Sequence, residues 1–119
     1  MANVNLKRLL ASDNLKVGHS IFEFNSPGVG QIIASAGCDF VFLDMEHSGF
    51  GISETKRAIA GLRVGGIPAL VRPPSKEYHH IARALDIGAD GLVLPMVASK
   101  EEAEYIIDSS GGQHLAYLN

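Results

Sequence analysis

The sequence predicts a parallel α/β fold made of the first four strand–helix units of a TIM (β/α)8 barrel, truncated at about half its usual length. Three observations carry this. A pattern recurs four times: an apolar run rich in β-branched and aromatic residues, a polar or Gly/Pro turn, and a helix-period segment closing at glycine. The strands begin near residues 17, 39, 67 and 91, a spacing suited to βα repeats. The strand cores FVFL, ALV and LVL are continuously apolar, which marks a sheet covered on both faces and therefore parallel, with right-handed crossovers. A doubly wound open sheet would give a similar string. A complete barrel takes about 250 residues, so these 119 residues would form one partial domain over 1–119, with 111–119 out of pattern. Four units alone leave two unpaired parallel edges, so a free-standing chain is expected to be marginal or sticky.

The elements follow in order. Residues 4–13 place Val4, Leu6, Leu9 and Leu10 near one face of a short helix. KVGHSIFEF is the first strand, and NSPGVGQIIASAG follows as a helix capped by Asn25 or Ser26, with Pro27 in its first turn and Gly37 at its end. DFVFLDMEH is the second strand, followed by SETKRAIAGLRVGG with Ser53 as cap. IPALVRPP leads to KEYHHIARALDIG, and DGLVLPMV leads to SKEEAEYIIDSSG, where Ser99 and Glu102 have capping-box spacing.

Composition narrows the function classes. Net charge is −3 with scattered Lys and Arg, so no basic footprint for nucleic acid exists. Cys38 is the only cysteine, which excludes an intrachain disulfide and a Cys-based zinc site and reads as a small buried residue at a strand entrance. The N-terminus lacks a signal-peptide pattern, and no apolar run approaches membrane-spanning length. A cytoplasmic protein without membrane contact is expected.

Ligands of parallel α/β folds bind at the C-terminal ends of the strands. The polar residues there are Glu23–Asn25, Asp44-Met45-Glu46-His47, Arg72 before Pro73-Pro74, and the Pro95-Met96 turn. His47, after two carboxylates at a strand mouth, is placed to act as a general base, against the alternative of a loop-capping histidine. Arg72, stiffened by two prolines, can clamp a carboxylate or a developing oxyanion, against the alternative of a surface ion pair. Asp86 sits at a helix end where the dipole disfavours it; spacing alone reads it as an exposed acid. His79 and His80 are adjacent on a helix, about 100° apart, and read as solvated rather than as a metal pair. Ser26-Pro27-Gly28-Val29-Gly30 lacks the dinucleotide fingerprint and reads as a capped helix start.

Together, GCDFVFLDMEHSGF, LVRPP and IARALDIGADGLVLPMVASKEEAE resemble the HpcH/HpaI aldolase/citrate lyase family, and more narrowly its metal-dependent class II pyruvate aldolases, over about residues 5–108. The resemblance implies retro-aldol cleavage of a 2-keto-3-deoxy or 4-hydroxy-2-oxo acid to pyruvate and an aldehyde. It implies His47 as catalytic base, Asp86 as its carboxylate partner, Arg72 as the group that binds the 2-oxo acid, and Asp44 and Glu46 as supporting groups. It also implies a divalent metal (Mg, Mn or Co) whose Glu and Asp ligands lie beyond residue 119, and a homo-oligomer when the barrel is complete. No ligand set for that metal lies in this chain, so the chain by itself is expected to be inactive. The lack of a lysine inside the strands fits a metal route better than a Schiff base. The competing readings are a non-catalytic α/β binding or remnant module and an acyl-CoA lyase of the same superfamily.

Overall fold

The computed structural model describes residues 5–111. Within them lie α1 (Leu6–Ala11), β1 (Gly18–Ile21), α2 (Val29–Ser35), β2 (Phe40–Asp44), α3 (Ile52–Val64), β3 (Ala69–Arg72), α4 (Tyr78–Asp86), β4 (Gly91–Leu92) and α5 (Lys100–Ser109). The strands form one sheet in chain order, β1-β2-β3-β4, and every pair is parallel.

The register sorts the strand residues onto two faces. Ile21, Val41, Leu43, Ala69, Val71, Leu92 and Leu94 share one core with Ile33 of α2, Ala58, Ile59 and Leu62 of α3, Ile81 and Ala84 of α4, and Ile106 of α5. The other face carries Phe40, Phe42, Leu70 and Val93, against which α1 lays Leu6 and Leu9. The three crossover helices α2, α3 and α4, together with α5 after β4, thus cover a single face while the strand order simply advances. A doubly wound sheet would reverse its order and put helices on both faces; this arrangement is that of a barrel wall. Cys38 is partly buried against the helix-side core.

Two short repeats tie the bottom of the wall. Gly37 and Gly88 adopt left-handed backbone (φ 81° and 106°) and end the preceding helical segments. Two residues after each, an aspartate accepts a hydrogen bond from the entrance of the neighbouring strand: Asp39 Oδ2 from Val17 N at 2.8 Å, and Asp90 Oδ2 from Ala69 N at 2.8 Å.

Several expected boundaries shift. The cap of α2 is Gly28, without a side-chain bond; Asn25 Nδ2 instead donates to the Glu54 carbonyl, and Pro27 precedes the helix. α3 starts after Gly51, whose N–H donates to Glu54 Oε2 at 3.0 Å, so Ser53 lies inside the first turn and does not cap. Ser99 does cap α5, accepting from Glu102 N at 3.1 Å, but Glu102 reaches one residue further back, to Ala98 N at 2.8 Å. β4 is shorter than the apolar run because it pairs on one side only, Pro95 cannot donate, and Met96 turns into left-handed backbone (φ 57°). Val4 and residues 112–119 lie outside the described residues. Among the described residues no helix is long and apolar enough to cross a membrane.

Candidate active site

Asp44 and Arg72 are direct register partners at the C-terminal ends of β2 and β3, so both side chains leave the sheet on the interior face. The guanidinium meets the carboxylate as a fork: Nε donates to Oδ1 at 2.8 Å and Nη2 to Oδ2 at 2.6 Å. Asp44 is fully buried, while the Arg72 side chain keeps 23% of its surface. The Arg72 guanidinium carbon lies 5.4 Å from the centre of the Phe42 ring, one pleat below Asp44. The Arg72 hydrogen bonds hold the Asp44 carboxyl below its ordinary pKa against the opposing effect of burial, helped by the backbone N–H groups of Glu46 and His47. Arg72 is raised in turn, chiefly by its hydrogen bonds to Asp44.

Asp44 also builds the loop that follows. Its Oδ1 accepts from Glu46 N at 2.9 Å and from His47 N at 3.3 Å, the local turn that a short acidic side chain favours. Ser48 Oγ donates to the Asp44 carbonyl and accepts from Phe50 N at 3.1 Å, and the buried Phe50 ring anchors the far end. Glu46 and His47 are thereby held at the mouth. His47 is 66% exposed, with Nε2 3.2 Å from Glu46 Oε1. Glu46 Oε2 is buried, 3.5 Å from Arg72 Nε, without a hydrogen bond. A continuous line of contacts therefore runs His47–Glu46–Arg72–Asp44. No hydrogen bond among the described residues uses Arg72 Nη1, so that edge of the fork stays available to an incoming oxygen.

Of the five candidate residues, four converge here and Asp86 does not. Asp86 is the last residue of α4 and is exposed, without a hydrogen bond or ion pair to His47. The helix runs back from the end of β3 toward the start of β4, so its nine residues, about 13 Å at helical rise, carry Asp86 to the opposite end of the wall. Within this chain the contact of His47 is Glu46. As donors to a divalent metal, both Asp44 oxygens are spent on Arg72, and a carboxylate beside a guanidinium makes a poor cation ligand, which leaves Glu46 and His47 among the described residues of the mouth.

One contributor to the mouth escaped the sequence reading. Lys76, just beyond Pro73-Pro74, donates to the Met96 carbonyl at 2.8 Å and pairs with Glu102, so it straps the β3–α4 loop to the β4–α5 loop. Glu102 is lowered by that Lys76 hydrogen bond and by the Ala98 N–H. No local motif signals Lys76, since its partners are 20 and 26 residues away.

Comparison with known proteins agrees with this architecture. The sequence profile of the HpcH/HpaI aldolase/citrate lyase family matches residues 23–111. A hydroxypyruvate/pyruvate aldolase from Roseovarius nubinhibens is 35% identical over 101 residues, covering 85% of this chain and 39% of that protein. A 5-keto-4-deoxy-D-glucarate aldolase from Escherichia coli (strain K12 / DH10B) is 32% identical over 104 residues, covering 87% of this chain and 40% of that protein. The crystal structure of an HpcH/HpaI aldolase from Desulfitobacterium hafniense DCB-2 superposes with a TM-score of 0.78 over 94% of this chain and 55% of its own, at 24% identity, a likeness that speaks for the fold. The chain thus spans well under half the length of the curated relatives it matches.

Proposed function

Since the chain belongs to the HpcH/HpaI aldolase/citrate lyase family, we propose that its mouth carries the proton-transfer and carboxylate-holding half of a retro-aldol site acting on a 4-hydroxy-2-oxo acid. The observation that carries the reading is the Arg72 fork held by buried Asp44, beside a histidine fixed on the same turn. In this reading the Glu46 contact favours the His47 tautomer protonated on Nε2, leaving Nδ1 as the base. The base takes the proton of the substrate hydroxyl. The adjacent carbon–carbon bond breaks, an aldehyde leaves, and the electron pair moves onto the 2-oxo acid as an enolate. Protonation of the enolate carbon gives pyruvate and frees the base. Arg72 Nη1 holds the substrate carboxylate and fixes the 2-oxo acid for that step. In this reading the described residues of the mouth supply the base and the clamp, and the divalent metal that the resemblance brings with it would stabilise the charge of the enolate.

The test supplies the remaining barrel wall. The 119-residue chain is co-expressed with the part of the Escherichia coli 5-keto-4-deoxy-D-glucarate aldolase that lies beyond the aligned region, and pyruvate release from a 2-keto-3-deoxy acid is followed with added Mn2+. Release that disappears with His47→Ala and falls with Arg72→Lys is the expected result. Release indifferent to His47→Ala, or none although the two chains co-purify, defeats the proposal.

A further inference from the structure

We propose that Glu77, His79 and His80, at the start of α4, form a binding site for a borderline transition-metal dication of the Zn2+ type. The site uses no residue of the His47–Arg72 line and does not rest on the aldol reading. One ligand atom from each of the three residues lies within 4.8 Å of the others. His79 Nε2 stands 3.6 Å from Glu77 Oε2, and the two imidazole rings are 4.2 Å apart, tilted by 49°. Adjacent helical residues should diverge by about 100°, and mid-helix these two would. Here Glu77 is the extended residue before the helix (φ −67°, ψ 144°), and the histidines occupy the first turn, where side chains lean back toward the N-terminus. The carboxylate outside the helix and the two leaning rings therefore meet.

The donor types select the ion. Two neutral imidazoles and one carboxylate suit Zn2+, Co2+, Ni2+ or Cu2+, whereas Mg2+ and Ca2+ prefer oxygen ligands throughout. Three protein ligands leave a coordination position for water or an external ligand. A supporting contact is already in place: Ser75 Oγ is 2.6 Å from His80 Nδ1 and accepts from Glu77 N at 3.1 Å, so a single hydroxyl orients one ligand ring and the backbone of another ligand. The helix N-terminus opposes a cation, and the Glu77 charge offsets it. An ion held here would stiffen the β3–α4 loop that follows Arg72.

Zn2+ is titrated into the metal-free 119-residue chain by calorimetry, with Co2+ as a visible-absorption probe. The expected result is one ion per chain that excess Mg2+ does not displace. Affinity should fall by more than about tenfold in His79→Ala, His80→Ala and Glu77→Gln and by about tenfold in Ser75→Ala. It should stay unchanged when His19, His47 and His114 are replaced together. Zn2+ should also raise the melting temperature of the native chain and leave that of His79→Ala unmoved. Circular dichroism checks that each variant is folded. No saturable binding, native affinity in the His79 and His80 variants, or loss of binding in the His19/His47/His114 variant each overturns the proposal.

Discussion

Asp44 is the residue on which the others at the mouth depend, because it neutralises Arg72 and also receives the N–H groups that place Glu46 and His47. Arg72→Met strands a fully buried carboxylate and should cost about 3–5 kcal/mol in urea denaturation. Asp44→Asn combined with Arg72→Met should cost less than the sum of the two single changes, since the pair acts as one unit. The sign of the pH dependence follows from the lowered Asp44 pKa. Its stabilising contribution is complete above the unfolded carboxylate value of about 3.9 and is lost as pH falls through the lower folded value. Urea midpoints should therefore fall for the native chain below that pH, and the gap to Asp44→Asn should narrow; an acid limb of equal depth in both proteins would refute the assignment. His47, Arg72, Asp44 and Glu46 could be read from sequence as a group because strand mouths are recognisable from apolar runs that end in polar residues. The pairing of Asp44 with Arg72 could not, since a one-residue slip in register would put them on opposite faces. The expected contact of His47 with Asp86 is not made within the chain, because Asp86 ends α4 and that helix returns toward the start of β4, away from the mouth.

At the scale of elements, the same difference between pattern and geometry decides the caps. Ser53 and Ser99 both precede helix-period segments, yet only Ser99 accepts a backbone N–H. Ser99→Ala should cost about 1 kcal/mol, while the exposed Ser53→Ala should leave the thermal midpoint almost unchanged; equal effects would mean that α3 is capped otherwise than by Gly51 and Glu54. Helix packing gives a sharper contrast. A Cβ on Gly30 would fall on the Gly61 carbonyl, and one on Gly65 would fall on the Gly30 carbonyl, so α2 and α3 touch backbone to backbone. Gly30→Ala should therefore destabilise by about 1–3 kcal/mol, whereas Gly28→Ala, with open space at its Cβ, should change stability by less than about 1 kcal/mol. The order and type of the elements were legible from the sequence because continuous apolar runs and 3.6-residue spacing are properties of single segments. The glycine contact was not, because it depends on two helices meeting, and the Ser-Pro-Gly-Val-Gly stretch looks locally like nothing more than a helix start.

At the scale of the whole molecule, the decisive feature is that the four described strands do not close into a barrel. β1 pairs only with β2, and β4 only with β3, among the described residues. In a closed barrel each edge would meet another strand, and the interior face would be filled by side chains from all around it. Here α1 shields Leu70 and Val93 from below, but large apolar side chains near the β1 edge and the β4 turn stay in solvent, with Leu15 88%, Phe24 77% and Met96 84% exposed. Unpaired N–H and C=O rows beside such side chains favour pairing with another chain. Sedimentation velocity on the 119-residue chain should therefore show a weight-average mass that climbs above 12.7 kDa with concentration. Phe24→Lys, which places a charge where β1 leaves the sheet, should move the distribution back toward monomer without lowering the thermal midpoint, because Phe24 contributes little to the buried core. A native chain that stays monomeric at high concentration and melts cooperatively at high temperature would show instead that four units and α1 make a self-sufficient domain.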